Sequence, residues 1–200
     1  MSRLSRTPSA PLAALLAVAA TLALAACGSG SEADGNYGDD APDYGAALAG
    51  APAPLAALHS QANQLLDGGG AAFERRLKRL RAYPIVANKW ASWCGPCRAE
   101  FPYFQDLAAA LGKRVAFLGV DSDDSEDAAR TFLSEHPVPY PSYSDPDQEI
   151  AAAMEATLGF PATAFYDSSG ELVHVKLGGY ARQADLRADI ERYALGGRAQ

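Results

Sequence analysis

Residues 88–102 read "NKWASWCGPCRAEFP" and place Cys94 and Cys97 two residues apart in a chain of 200 residues that holds three cysteines. Three readings compete: a redox couple, half of a zinc site, or ordinary packing. Zinc wants four ligands, typically two such pairs or one pair with two histidines. No second pair occurs, and His59, His136 and His174 stand singly, so no metal is expected. Packing alone does not require two thiols straddling Gly95 and Pro96. They fall where an apolar run, "PIVANKWA" (84–91), gives way to a helical pattern from Cys94 to about Leu111. A redox couple is left. A sulfur at a helix N-terminus meets unpaired N–H groups and the positive end of the helix dipole, both of which favour a thiolate. Cys94 is therefore the expected attacking sulfur. Cys97, about one turn later, is placed to resolve a mixed disulfide.

Outward from this stretch, strand and helix patterns alternate. "RVAFLGV" (114–120) reads as a strand and "SEDAARTFLSEH" (125–136) as a helix capped by Ser125. A Pro-rich connection with a short strand near Tyr140 follows, then a helix around Gln148 to Thr157. "ATAFYD" (162–167), the turn "SSG" and "ELVHVKL" (171–177) read as a hairpin, and "ADLRADIERYAL" (184–195) as a closing amphipathic helix. This pattern implies an α/β domain over 83–200, a central mixed sheet with helices on both faces. Upstream, "LAALHSQANQLL" puts Leu55, Leu58, Leu65 and Leu66 at helical spacing, with "GGG" at 68–70 ending that helix. "AFERRLKRLRAY" then aligns Phe73, Leu77 and Leu80. Residues 55–82 are accordingly expected as an N-terminal helical extension.

The first 26 residues carry Arg3 and Arg6 ahead of an apolar run of sixteen residues, Pro11 to Ala26, with no acid. The run is shorter than the roughly 20 residues a membrane-crossing helix needs, and it reads as a signal peptide. It ends in "LAAC", Leu24 to Cys27, which resembles the lipobox of bacterial lipoproteins and implies lipidation at Cys27. Lipidation there would leave Cys94 and Cys97 as one clean pair. Residues 27–54 are rich in Gly, Ala and Pro, with five acids and no base, and are expected to form a flexible acidic tether. Seventeen Lys plus Arg stand against twenty-four Asp plus Glu, which leaves no electrostatic footprint for nucleic acid.

With these residues in view, "NKWASWCGPCRAEFP" and the later "LGFPATAFYDSSGELVHVKLGGY" (158–180) resemble the TlpA/ResA-like membrane-tethered thiol-disulfide oxidoreductases of the thioredoxin-like fold. The resemblance covers roughly residues 84–197. It implies that Pro161 is the cis-proline facing the cysteine pair. The backbone at Phe160 would pair with a substrate's extended segment, and Trp93, Gly95 and Pro96 would line the same rim. It further implies that Glu100 is a buried acid beside the cysteines, able to take the proton that Cys97 must lose. Thioredoxin itself carries an aspartate in the preceding strand, where this chain has Asn88. Members commonly carry a large apolar residue at position 89. A lysine there is costly unless it snorkels or pairs.

The signal peptide and the lipobox imply an extracytoplasmic protein, lipid-anchored to a bacterial membrane; a monomer is expected, with no cofactor besides a redox-active Cys94–Cys97 disulfide. The family resemblance implies as partners exported protein thiols and disulfides and a membrane thiol electron carrier, as in cytochrome c maturation. The Gly-Pro pair between the cysteines matches thioredoxin, a reductant near −270 mV, rather than an oxidant near −120 mV, so disulfide reduction is the expected direction. The alternatives are a disulfide oxidase, a non-catalytic binding lipoprotein that keeps the fold, and a thiol peroxidase, whose reactive cysteine normally sits in a different motif.

Overall fold

The computed structural model describes residues 42–196. The expected signal peptide, Cys27 and the first part of the tether lie outside the described residues. The chain runs α1 (Tyr44–Leu48), α2 (Ala53–His59), β1 (Leu65–Leu66), α3 (Gly69–Arg79), β2 (Ile85–Trp90), α4 (Gly95–Leu111) and β3 (Ala116–Ser122). It continues through α5 (Glu126–Glu135), β4 (Ser142–Asp145), α6 (Glu149–Ala153), β5 (Ala162–Tyr166), β6 (Leu172–Leu177) and α7 (Gln183–Asp189). A wider π-helical turn, Ile190–Ala194, extends α7.

The six strands form one mixed sheet in the order β1-β4-β3-β2-β5-β6. The four strands on the β1 side run parallel, β5 lies antiparallel to β2, and β6 closes the hairpin on β5. Every residue of β2 and β3 is buried, which explains the apolar runs that open both strands, since central strands are covered on both faces; toward the cysteine motif the same strands bury Asn88, Lys89, Asp121 and Ser122. On one face Val86 and Trp90 pack with Phe101, Phe104, Phe132 and Leu186. On the other, Ile85 and Ala87 pack with Leu55, Phe73, Ile150 and Met154. Gly119 is required where β3 meets β4. A Cβ there would stand 2.1 Å from Ser142 Oγ and 2.9 Å from Trp90 Nε1, in the path of the Trp90-to-Ser142 hydrogen bond.

The mixed sheet with helices on both faces is as expected; the region before residue 83 needs correction. The helix expected to reach Leu66 stops at His59, and Leu65 and Leu66 form the edge strand β1 beside β4. Asn63 causes the change. Its backbone sits at φ 60°, its Nδ2 donates to the Leu133 carbonyl, and its Oδ1 accepts from the Val138 N–H. These partners are some seventy residues away, beyond the reach of local periodicity. "GGG" does not end a helix but begins α3, with Gly68 as its N-cap at φ 103°. Residues 55–82 are thus part of the sheet and its cover, not an appended extension. The tether boundary at 54 also shifts, because Tyr44–Leu48 is helical, Leu48 is buried, and Tyr44 Oη donates to the Pro137 carbonyl. Finally, α6 is shorter than the expected 148–157, ending where Glu155 takes φ 56° and Gly159 φ 74°.

Candidate active site

The cysteine pair sits where β2 hands the chain to α4. Cys94 is the N-cap of α4, in extended conformation, and its Sγ accepts a hydrogen bond from the Cys97 N–H at 3.1 Å. Pro96 is tolerated in this first turn because its missing N–H would have had no intrahelical partner. Cys94 and Cys97 are joined as a disulfide with Cα atoms 5.3 Å apart. Cys94 keeps 3% exposure and Cys97 none, so an incoming group reaches Cys94 first. Gly95 is exposed, with open space where a side chain would lie, and leaves that approach clear.

Two aromatic rings form the rim. Trp93 is 57% exposed. Its indole Nε1 donates to the Asp123 carbonyl, and its ring meets that of Phe160 edge-on at 4.9 Å. The residue before it, Ser92, donates its N–H to Asp124 Oδ2, so the loop after β3 holds the entry to the motif. The Phe160–Pro161 peptide is cis, and the Pro161 carbonyl accepts from the Gly178 N–H at 2.9 Å.

Glu100, one turn after Cys97 on α4, is fully buried. Its Oε1 accepts from Asn88 Nδ2 and its Oε2 from the Tyr180 N–H, each at 2.9 Å. Burial pushes its carboxyl up to about 7, held back by those two donors and by the charge of Lys176. A methyl placed on exposed Gly179 would lie 3.5 Å from Pro161 Cγ, 3.6 Å from Glu100 Oε2 and 3.7 Å from Pro96 Cβ. The acid, the cis-proline and the turn between the cysteines therefore border one small space. A group titrating near neutrality beside a dithiol can accept and return a proton.

The structure thus gathers Trp93, Cys94, Gly95, Pro96, Cys97, Glu100, Phe160 and Pro161 at one end of the sheet. Sequence reasoning did not assign the two donors to Glu100. Asn88 was visible only as a departure from thioredoxin's aspartate. The Tyr180 contact comes from the backbone, which carries no residue signature, and Gly179 was a plain glycine until its neighbours were placed. Asp121, at the end of β3, was also missed. Buried with Oδ1 unpaired, it is pushed up to about 8 by desolvation and by the carboxylates of Asp124, Asp145 and Glu126. Among the described residues, no three His, Cys, Asp or Glu side chains gather where they could hold a metal ion.

The profile of the Redoxin family matches residues 48–190. A thiol:disulfide interchange protein DsbE homolog from Paracoccus denitrificans is 40% identical over 99 residues, 49% of this chain and 52% of that protein. The thiol-disulfide oxidoreductase ResA of Oceanobacillus iheyensis is 31% identical over 105 residues, 52% of this chain and 54% of that protein. The chain thus spans about half the length of these two relatives. Among solved structures, a secreted Mycobacterium tuberculosis disulfide oxidoreductase described as homologous to DsbE is 26% identical, with a TM-score of 0.51. The match covers 57% of this chain and 85% of that one. The fold is thioredoxin-like.

Proposed function

The chain belongs to the Redoxin family, and from that premise we propose that it is a thiol-disulfide oxidoreductase working through Cys94 and Cys97. One observation carries the reading: a disulfide at a helix N-terminus, with a cis-proline and a buried acid of near-neutral pKa bordering one space beside it. In the reduced enzyme, the Cys94 thiolate attacks one sulfur of a substrate disulfide. A Cys94–substrate bond forms, the substrate S–S bond breaks, and the other substrate sulfur leaves as a thiolate that takes up a proton. Cys97 then gives its proton to the Glu100 carboxylate and attacks Cys94 Sγ. The Cys94–Cys97 bond forms and the second substrate thiolate departs. Two electrons have passed to the substrate, and a donor dithiol must return them to the pair.

The substrates are disulfides of exported proteins, docking as an extended segment along the backbone at Phe160 and Pro161 against the Trp93 rim. In this reading the enzyme works outside the cytoplasm, held to a bacterial membrane by lipid on Cys27 and recharged by a membrane thiol carrier, in service of cytochrome c maturation. The relatives' names support the exchange chemistry. The anchor and carrier rest on the sequence resemblance alone. Reduction is the favoured direction because Gly95 and Pro96 reproduce thioredoxin's pair between the cysteines.

Equilibration against glutathione buffers tests the direction. A potential near thioredoxin's, about −270 mV, is expected, whereas one near −120 mV would make the protein an oxidase. No two-electron couple at all would leave only a binding module.

A further inference from the structure

Lys89 has no part in the exchange chemistry, yet it is among the largest fully buried side chains of the molecule. Successive residues of a strand point to opposite faces, and β2 uses this at the site. Asn88 turns to Glu100 on the α4 side, while Lys89 turns the other way, toward α6 and the chain that follows it. Its ammonium donates to the Ala156 carbonyl at 2.9 Å, to Gln148 Oε1 at 3.1 Å and to the Gly159 carbonyl at 3.3 Å. Three N–H groups meet three acceptors, so a cation that would be prohibitive when buried alone is satisfied. The same nitrogen stands 3.9 Å from the centroid of the Phe160 ring, an attraction that strengthens away from water.

These partners are not scattered. The carbonyls of Ala156 and Gly159 bracket the turn "ATLG", which bends through Gly159 at φ 74° and leads directly into the cis Phe160–Pro161 peptide. Leu158 at the turn is 74% exposed, so no apolar packing of its tip holds it down. An apolar residue at position 89 would leave both carbonyls without this donor and remove the charge beneath the ring.

We propose that Lys89 is a positioning residue for the substrate-docking edge, fixing the 156–160 turn and the Phe160 ring so that an extended peptide disulfide meets a preformed surface. The inference rests on the disulfide-exchange reading above and concerns the affinity of that site, not its chemistry. Preforming a loop lowers the ordering cost of binding. Removing Lys89 therefore acts on KM for a substrate that uses the edge and spares one that touches only the sulfur.

The test compares the unmodified protein with Lys89→Met on two substrates, with dithiothreitol as the donor dithiol that re-reduces the Cys94–Cys97 disulfide and the uncatalysed rate subtracted. One is an extended synthetic peptide carrying a mixed disulfide with glutathione; the other is bis(2-hydroxyethyl) disulfide. With the variant's fold checked by near-ultraviolet circular dichroism, KM for the peptide should rise about tenfold while kcat stays within about twofold. The rate with the small disulfide and the redox potential should not move. An unchanged peptide KM overturns the proposal, and so does a loss shared equally by both substrates. If Lys89→Met does not fold, Gln148→Leu carries the test. It removes one of the three acceptors and should raise the peptide KM about threefold; no rise overturns the proposal. Failure of the unmodified protein to turn over either disulfide refutes the exchange reading itself, whereas normal turnover with an unaltered variant KM refutes only the role of Lys89.

Discussion

Glu100 and Asp121 are both buried carboxylic acids near the cysteine motif, one on α4 and one at the end of β3, and their neighbours are of opposite kinds. Glu100 is met by donors, the Asn88 amide and the Tyr180 N–H, with Lys176 nearby, and burial brings it only to about 7. Asp121 is met by other acids, Asp124, Asp145 and Glu126, has an oxygen without a donor, and rises to about 8. Desolvation lifts both, but the surroundings decide the use. The first is balanced to gain and lose a proton at neutral pH, as a proton acceptor for a thiol must be. The second stays protonated there and stands near the loop whose Asp124 holds the Ser92 N–H.

The largest expected consequence is at Asp121. A carboxyl whose folded pKa lies above its unfolded value binds its proton more tightly when folded, so stability is lost as pH climbs from the unfolded value to the folded one. From 3.8 to about 8 the upper limit is about 6 kcal/mol, at about 1.4 kcal/mol for each pH unit. Asp121→Asn should therefore be more stable than the parent at pH 9, by about 2–4 kcal/mol once local relaxation is allowed for, with little difference at pH 4. Urea unfolding at the two pH values measures this. Equal stability at pH 9 would mean that folding does not raise the Asp121 carboxyl.

Glu100→Gln should show a smaller gain on the same test, about 1–2 kcal/mol at pH 8.5, since its loss runs only from 4.5 to about 7. It should also remove the inflection near pH 7 from the exchange rate, which Asp121→Asn should leave in place. If the inflection disappeared in Asp121→Asn instead, the roles assigned to the two acids would be reversed.

Finer substitutions sharpen the contrast. Asn88→Leu deletes a donor that favours the charged form, so the Glu100 titration should move upward by about one pH unit. Gly179→Ala places a methyl 3.6 Å from Glu100 Oε2, an ordinary contact that makes the carboxyl's surroundings more apolar. It should move the titration upward by about half a unit. Infrared or carboxyl-carbon NMR titration reads both changes. A downward movement in either would mean that those neighbours do not act on Glu100 as described.

The parts of the molecule legible in the sequence depend on neighbours in the chain. Ser125 caps α5 by accepting from the Ala128 N–H, three residues on. Cys94 and Cys97 fall at the strand-to-helix junction because β2 and α4 each carry their own period. The parts that were not legible depend on distant partners. Asn63 bends the chain into β1 through Leu133 and Val138. Lys89 looked like an unexplained charge in a central strand until Ala156 and Gly159 were placed against it. Glu100 lies between these cases: its spacing from Cys97 marked it, but its second donor, the Tyr180 N–H, lies eighty residues away.

The most direct measurement is alkylation of the reduced protein by iodoacetamide from pH 4 to pH 10, with each cysteine followed by mass spectrometry. Cys94 should be modified first, with a midpoint below the roughly 8.5 of a free thiol. Cys97 should be protected, and an inflection near pH 7 should vanish in Glu100→Gln. Two cysteines labelled at equal rates with ordinary midpoints, or two thiols inert throughout, would contradict a thiolate held at the head of α4 beside a titrating acid.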